Sequence, residues 1–155
     1  MTFKIHLPKE PTGTAQQKGV AFQRGKVRFY EKTQVKDQRM TYFYALKPYK
    51  PEEPFKGPIS ITVSFAYPQR KTVKMKEALE WKTTTPDLDN LLKLFLDAMT
   101  QCKFWEDDKQ IVHMESKKFL AKGQEDFVII VSINEVTDKS NLLIEESWGV
   151  FHCER

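Results

Sequence analysis

Cysteine and histidine are scarce in this chain. Cys102 and Cys153, the two cysteines in 155 residues, are too few and too far apart for a disulfide framework or a thiolate metal cage. They read as free thiols of a reducing compartment. His6, His113 and His152 do not cluster by spacing, so a histidine-held metal is not expected. No apolar run approaches the roughly 20 residues that cross a bilayer. The opening MTFKIHLPKEP lacks the apolar core of a signal peptide, which makes the cytoplasm the expected location. There is no internal repeat and no low-complexity segment.

What is present fits one domain with a sizeable core: 40% hydrophobic and 30% charged residues are ordinary for a globular chain. The net charge of +4 is mild, but its distribution is uneven. Lys9, Lys18, Arg24, Lys26, Arg28, Lys32, Lys36 and Arg39 crowd the N-terminal third. Arg70, Lys71, Lys74, Lys76 and Lys82 crowd a second stretch. Such clusters can bind phosphates by releasing counterions, and they can equally be solvated surface. Charge alone leaves both open.

The pattern predicts an α+β fold: a small mixed sheet of about four to five strands with two main helices. TFKIHLP alternates as a first strand, residues 9–25 read as a long loop, and KVRFYE as a short strand. A helix from Thr33 is expected to bury Val35, Met40, Phe43 and Leu46. PYKPEEPFKGP is a connector, and ISITVSFAY a buried strand. PQRKTVKMKEALEWK, without a clean period, reads as a mobile loop or weak helix. From about Leu88 to Gln101 a helix carries Leu88, Leu91, Leu92, Phe95, Ala98 and Met99 on one apolar face. QIVHMESKKFLA and DFVIIVSINEV read as a strand pair joined by a turn at Gly123. The last stretch, NLLIEESWGVFHCER, is ambiguous between a short helix and an edge strand.

The chemistry concentrates in two acidic knots. TTTPDLDNLLKLFLDAM sets Asp87 and Asp89 at the mouth of the apolar helix, and FWEDDKQIV follows soon after it. Asp is a preferred helix cap, a second acid in the first turn suits the helix dipole, and Asp is common in turns. Against that ordinary account stands the combination. Lys93 lies one turn after Asp89, and Glu106, Asp107 and Asp108 precede an apolar strand. Together they make a plausible cage for a hard divalent cation, and Mg²⁺ held by carboxylates suits phosphodiester hydrolysis. A D-x-D after an apolar strand would suggest haloacid-dehalogenase phosphatases or D-x-D glycosyltransferases, but WKTTTP is no such strand.

TPDLDNLLKLFLDAMTQCKFWEDDKQIV resembles the central motif of the RusA family of Holliday-junction resolvases, PD-x-DN-L-x-K, then D-A-[LM], then [FW]W-x-DD-x-Q-V. PTGTAQQKG and KVRFYE look like the N-terminal loop and strand of its phage or prophage branch. The similarity covers roughly residues 3–135, and the tail from about residue 137 has no counterpart in it. The resemblance implies a homodimeric, Mg²⁺-dependent endonuclease, with Mn²⁺ as a possible substitute, that nicks four-way DNA junctions symmetrically in recombination and repair. It implies Asp87, Asp89 and Asp108 as catalytic metal ligands and Lys93 as the motif lysine near the scissile phosphate. Asp107 and Asn90 would support them, and Gln110 would hold the following strand. Where family members often carry a basic residue before P-D or D-x-D, this chain has Thr84 and Thr85, with Lys82 the nearest cation.

With a nuclease in view, Lys18, Arg24, Lys26, Arg28 and Lys82 become candidate DNA contacts. Trp105 is expected as an aromatic plug rather than a base-stacking platform. Two other readings stay open: a branched-DNA-binding module that does not cleave, and a nuclease acting on forks or flaps. Whether each active site is built from one subunit or two is also open. Seven extended residues reach only about 23 Å, barely the length of the helix they would retrace.

Overall fold

The computed structural model describes residues 1–11, 18–31, 33–69 and 74–137. In chain order the elements are β1 (Thr2–Leu7), β2 (Lys18–Gln23), β3 (Lys26–Glu31), α1 (Thr33–Leu46), β4 (Ile59–Pro68), β5 (Leu79–Trp81), α2 (Leu88–Gln101), β6 (Ile111–Ala121) and β7 (Phe127–Glu135). Short 3₁₀ turns occupy Lys47–Tyr49 and Asp108–Gln110. Five strands form a mixed sheet in the order β1-β7-β4-β6-β5, and β2 with β3 forms a separate ribbon. With its two helices this is the expected α+β class. Among the described residues no helix is long and apolar enough to cross a membrane.

β4 is the middle strand, and its alternation builds the core. Ile59, Ile61, Val63, Phe65 and Tyr67 are fully buried, while the positions between them carry Ser60, Thr62 and Ser64. Phe127, Ile129, Val131 and Ile133 of β7, with Phe3, Ile5 and Leu7 of β1, join the same core. α2 closes it with Leu91, Leu92, Leu94, Phe95, Ala98 and Met99, an apolar face of the width a core-facing helix needs. α1 adds Val35, Tyr42 and Leu46. Met40, expected inside, is exposed, and Phe43 is only half-buried. Tyr42 takes the inward position because its ring meets Phe95 edge-on, with centroids 5.3 Å apart.

Three other expectations change. β6 and β7 are not partners, because β4 lies between them, parallel to β6 and antiparallel to β7. The turn at Gly123 (φ 75°) is present, but it carries the chain across the end of β4 instead of closing a hairpin. A central strand this apolar needs a neighbour on each edge, and an adjacent β6–β7 pair would leave one edge bare. Within the supposed loop of residues 9–25, residues 18–23 form β2 and pair with β3 through a tight turn at Arg24 (φ 53°) and Gly25 (φ 74°). Two consecutive left-handed residues are what such a hairpin turn demands, usually met by Asn-Gly rather than Arg-Gly. Residues 79–81 are an edge strand instead of loop or helix. The rest of the supposed loop at residues 12–17, and the final stretch from residue 138, lie outside the described residues.

β4 and β6 are parallel neighbours, so the chain between them must cross over from the end of one to the start of the other. α2 lies in that crossover and therefore runs back against both strands. After α2, Lys103 (φ 62°) turns the chain sharply. The Phe104 N–H donates to the Met99 carbonyl at 3.2 Å, and the Trp105 indole N–H donates to Thr100 Oγ1 at 2.8 Å. Both aromatics are fully buried, so Trp105 is the expected plug, set at the C-terminal end of α2. Replacing Trp105 with Ala should lower unfolding free energy by about 3–5 kcal/mol in urea denaturation, with Trp105→Phe costing clearly less.

Candidate active site

The first acidic knot sits where the crossover enters α2. Pro86 keeps Thr85 out of the helical region, the Thr85–Pro86 peptide is cis, and Asp87 takes the N-cap position (φ −67°, ψ 141°). Its backbone carbonyl accepts the Leu91 N–H at 3.0 Å, as the residue in that position should. Its side chain, however, makes no capping hydrogen bond. Asp89 follows in the first turn, exposed, with exposed Lys93 one turn later and Asn90 buried between them. The ordinary duty of an acid at this position is not performed by the Asp87 carboxylate, which is exposed.

Two lysines hold the entry loop. Lys82 is 6% exposed, and its ammonium donates to Thr84 Oγ1 (2.6 Å), the Thr85 carbonyl (2.7 Å) and the Thr84 carbonyl (3.4 Å). The same ammonium lies 4.7 Å from the centre of the Tyr67 ring. Lys118 of β6 reaches the same loop from the side, donating to the carbonyls of Thr84 (2.8 Å) and Pro86 (2.6 Å). Lys82, read from the sequence as a DNA contact, thus turns its charge into the protein. Its direction follows from β5, whose pairing with β6 sets the residue after Trp81 beside Lys118.

The second knot divides its work between neighbours. Asp107 caps the Asp108–Gln110 turn: its carboxylate accepts the Lys109 N–H (3.0 Å) and pairs with the Lys109 ammonium (3.1 Å). The Lys109 backbone N–H, and then its side chain, hold the Asp107 carboxyl below the usual carboxylate range. Gln110 completes the box, with Oε1 accepting the N–H groups of Glu106 (3.0 Å) and Asp107 (3.1 Å). Its Nε2 donates to the carbonyls of Phe55 (2.8 Å) and Gly57 (3.2 Å), so it holds the start of β6 to the connector after α1. The Asp108 side chain caps nothing and is exposed, though it lies against the Asp107 carboxyl and adds to its lowering.

Two rulers measure the gap between the knots. α2 has 14 residues, roughly 21 Å at 1.5 Å per residue. Along β6, Ile111 to Lys118 is seven strand steps, about 23 Å. Lys118 touches the loop before Asp87, whereas Asp108 opens the short turn that leads into Ile111. The acids therefore lie at opposite ends of the crossover. Asp108 instead shares a cavity of about 440 Å³ with Asp107, Glu106, Arg39 and the last turns of α2, Asp97, Thr100 and Gln101. Among the described residues, no three His, Cys, Asp or Glu side chains stand close enough together to hold a metal ion. A larger cavity of about 910 Å³ contains none of the aspartates; it lies around β5, where exposed Trp81 pairs with Phe119 beside Lys74 and Lys117.

The basic candidates near the N-terminus fall on the β2–β3 ribbon. Arg24 occupies the turn, and Lys26 and Arg28 share one face, paired with Gln23 and Ala21; all three are exposed. The backbone of Lys18 begins β2, and its side chain lies outside the described residues. The opposite face presents Val20, Phe22 (81% exposed) and Val27, which the sequence did not flag as exposed. The division within the second knot predicts unequal mutants. Asp107→Ala should lower the midpoint of chemical denaturation through the lost cap, while Asp108→Ala should leave it nearly unchanged.

Comparison with known proteins follows the same residues. The family model described as endodeoxyribonuclease RusA matches residues 8–131. The crossover junction endodeoxyribonuclease rusA of Lactococcus phage r1t is 42% identical over 123 residues, covering 75% of this chain and 86% of its own. The uncharacterized protein YqaN of Bacillus subtilis (strain 168) is 28% identical over 127 residues, covering 77% of this chain and 88% of its own.

Proposed function

The chain belongs to the RusA family of endodeoxyribonucleases, and we propose that it resolves four-way DNA junctions by Mg²⁺-dependent phosphodiester hydrolysis, acting as a homodimer in the cytoplasm. The observation that carries this reading is the exposed carboxylate that each acidic knot keeps out of the capping role. Asp87 occupies a capping position without capping, and Asp107 caps while Asp108 does not. Asp89 is exposed in the first turn of the same helix. Exposed carboxylate oxygens are the donors that Mg²⁺ prefers, so this set fits a hard divalent cation, with Mn²⁺ as a substitute. A divalent metal held there supplies charge stabilisation to the attacking and leaving oxygens of the phosphodiester.

The chain's own groups do the rest. Lys93 keeps a positive charge one turn from Asp89, suited to a phosphate oxygen drawn toward the carboxylates. Asn90 and Asp107 support the two knots from within their turns. Lys18, Arg24, Lys26 and Arg28 on the ribbon bind the DNA backbone through charge, which positions the junction without reading its sequence.

We further propose that each site is shared. The support is the separation of the knots by the length of α2 and by the parallel run of β6. Asp87 and Asp89 of one subunit would be completed by Asp108 of the partner subunit, around the two-fold axis of a homodimer. The connector after α2 argues against the alternative, because Phe104 and Trp105 are anchored to Met99 and Thr100 and leave no length to return along the helix.

A labelled four-way junction and a matched linear duplex, each with Mg²⁺ and with EDTA, test the activity. Paired nicks in the junction with Mg²⁺ alone are expected; binding without nicking would make the protein a junction-binding module. Faster cutting of forks or flaps would move the substrate. Asp87→Asn, Asp89→Asn and Asp108→Asn should each abolish cleavage while leaving junction binding intact or tighter, since each also removes negative charge facing phosphates. Lys93→Ala should lower the rate strongly without altering the fold.

Mixing an Asp87→Asn chain with an Asp108→Asn chain tests the sharing. With shared sites the heterodimer has one doubly lesioned site and one intact site, so nicking of one strand returns. With sites made within one chain, it stays dead. Replacing Lys18, Arg24, Lys26 and Arg28 together with Ala should flatten the dependence of log affinity on log salt, by up to about 0.9 for each phosphate no longer neutralised. An unchanged slope would move the DNA surface to the second basic cluster.

A further inference from the structure

We infer that Lys82 and Lys118 are positioning residues of the active site, forming a clasp that sets the aim of Asp87 and Asp89. The inference rests on those aspartates being metal ligands, and it concerns what holds them. Lys82 donates its backbone N–H to the Lys118 carbonyl at 3.4 Å, so the two side chains leave neighbouring positions on β5's edge and β6. Like charges side by side on adjacent strands ordinarily destabilise a sheet. Here both ammoniums converge on one acceptor, the Thr84 carbonyl, and take the Thr85 and Pro86 carbonyls besides. Every residue from Thr84 to Pro86 is held by at least one of the two.

This arrangement is hard to explain by stability alone. Cations at a helix N-terminus oppose the helix dipole, which favours anions there. An uncapped helix start would be stabilised more simply by its own Asp87, whose side chain does not perform that role. Putting the support on the carbonyls upstream lets the loop be rigid while the carboxylate stays available. A buried ammonium must be fully hydrogen-bonded, so Lys82, with a partner on three atoms and an aromatic face beside it, has little freedom to let the loop move. Groups that orient metal ligands without touching the metal typically control its affinity.

The test is calorimetric titration of Mn²⁺ into the metal-free full-length protein, comparing wild type with Lys118→Met and Lys118→Arg. Lys118 is half-buried, so Met should be accommodated; a thermal melt and far-ultraviolet circular dichroism check the fold. Lys118→Met should weaken metal binding roughly 10-fold or more, and Lys118→Arg, which keeps the charge and the paired donors, should restore most of it. The sign is decisive. Loss of a nearby positive charge by itself tightens the binding of a cation. Unchanged or tighter binding in Lys118→Met therefore overturns the clasp. So does a loss of junction affinity in EDTA, which would make Lys118 a DNA contact. Lys82→Met should repeat the weakening, and if it fails to fold, Lys118 still decides. A wild-type chain that binds Mn²⁺ but nicks no junction would defeat the proposed function and leave this inference standing. A wild type that takes up no metal defeats both.

Discussion

Parallel pairing of β4 with β6 is the constraint on which the rest of the molecule depends. Two parallel neighbours cannot be joined by a tight turn, so the chain must leave the end of one, travel the length of the sheet and enter the start of the other. α2 makes that journey, and its apolar face offsets the crossover's entropy by covering the sheet. The same geometry fixes where its two ends lie. Whatever chemistry precedes α2 belongs at the far end of β4 and β6, and whatever follows it belongs at the beginning of β6. The two acidic knots flank α2 in sequence, and so they flank it in space.

Local pattern was legible and pairing was not. The alternation of β4 and the broad apolar face of α2 can be read directly, because periodicity is a property of consecutive residues. Val35 and Leu46 were likewise visible as inward positions, whereas Tyr42 displaced Met40 through a contact with Phe95 that no window around α1 contains. The insertion of β4 between β6 and β7 is equally non-local. The ribbon of β2 and β3 was hidden for a chemical reason: Arg24 adopts a left-handed conformation that Arg seldom takes, so the usual turn signature is missing. The motif residues could be singled out by their match to the pattern of the family that the sequence resembles. The direction of Lys82 was not, since a lysine looks the same in sequence whether it faces water or a carbonyl.

Both knots separate holding from reaching. In the second, two adjacent aspartates differ only in register, yet the Asp107 side chain caps the turn while the Asp108 side chain, on the turn itself, stays exposed. Gln110 then locks the turn to the chain at Phe55 and Gly57, so Asp108 projects from a fixed base. In the first, the holding is done by Lys82 and Lys118 on backbone carbonyls, and the Asp87 side chain is spared the capping role its position would give it. In the first knot the buried Lys82 ammonium is satisfied by named partners, as a buried polar group must be. In the second, hydrogen bonds at the surface fix the turn.

The rigidity of α2 also dictates which changes of length the chain can survive. Each residue added to or removed from the helix advances its far end by about 1.5 Å and rotates it by about 100°. A one-residue deletion between Leu88 and Gln101 would therefore swing Thr100, and the Trp105 indole hydrogen-bonded to it, away from the core, and re-aim the whole Asp108 turn. The connector after α1, at residues 50–58, has no such phase to keep, only point ties to Phe104, Gln110, Glu135 and Val136. Homologues should accordingly vary in length in that connector far more readily than within α2. The interval between the aspartate knots is kept by helical phase, even where the side chains that fill it are free to drift.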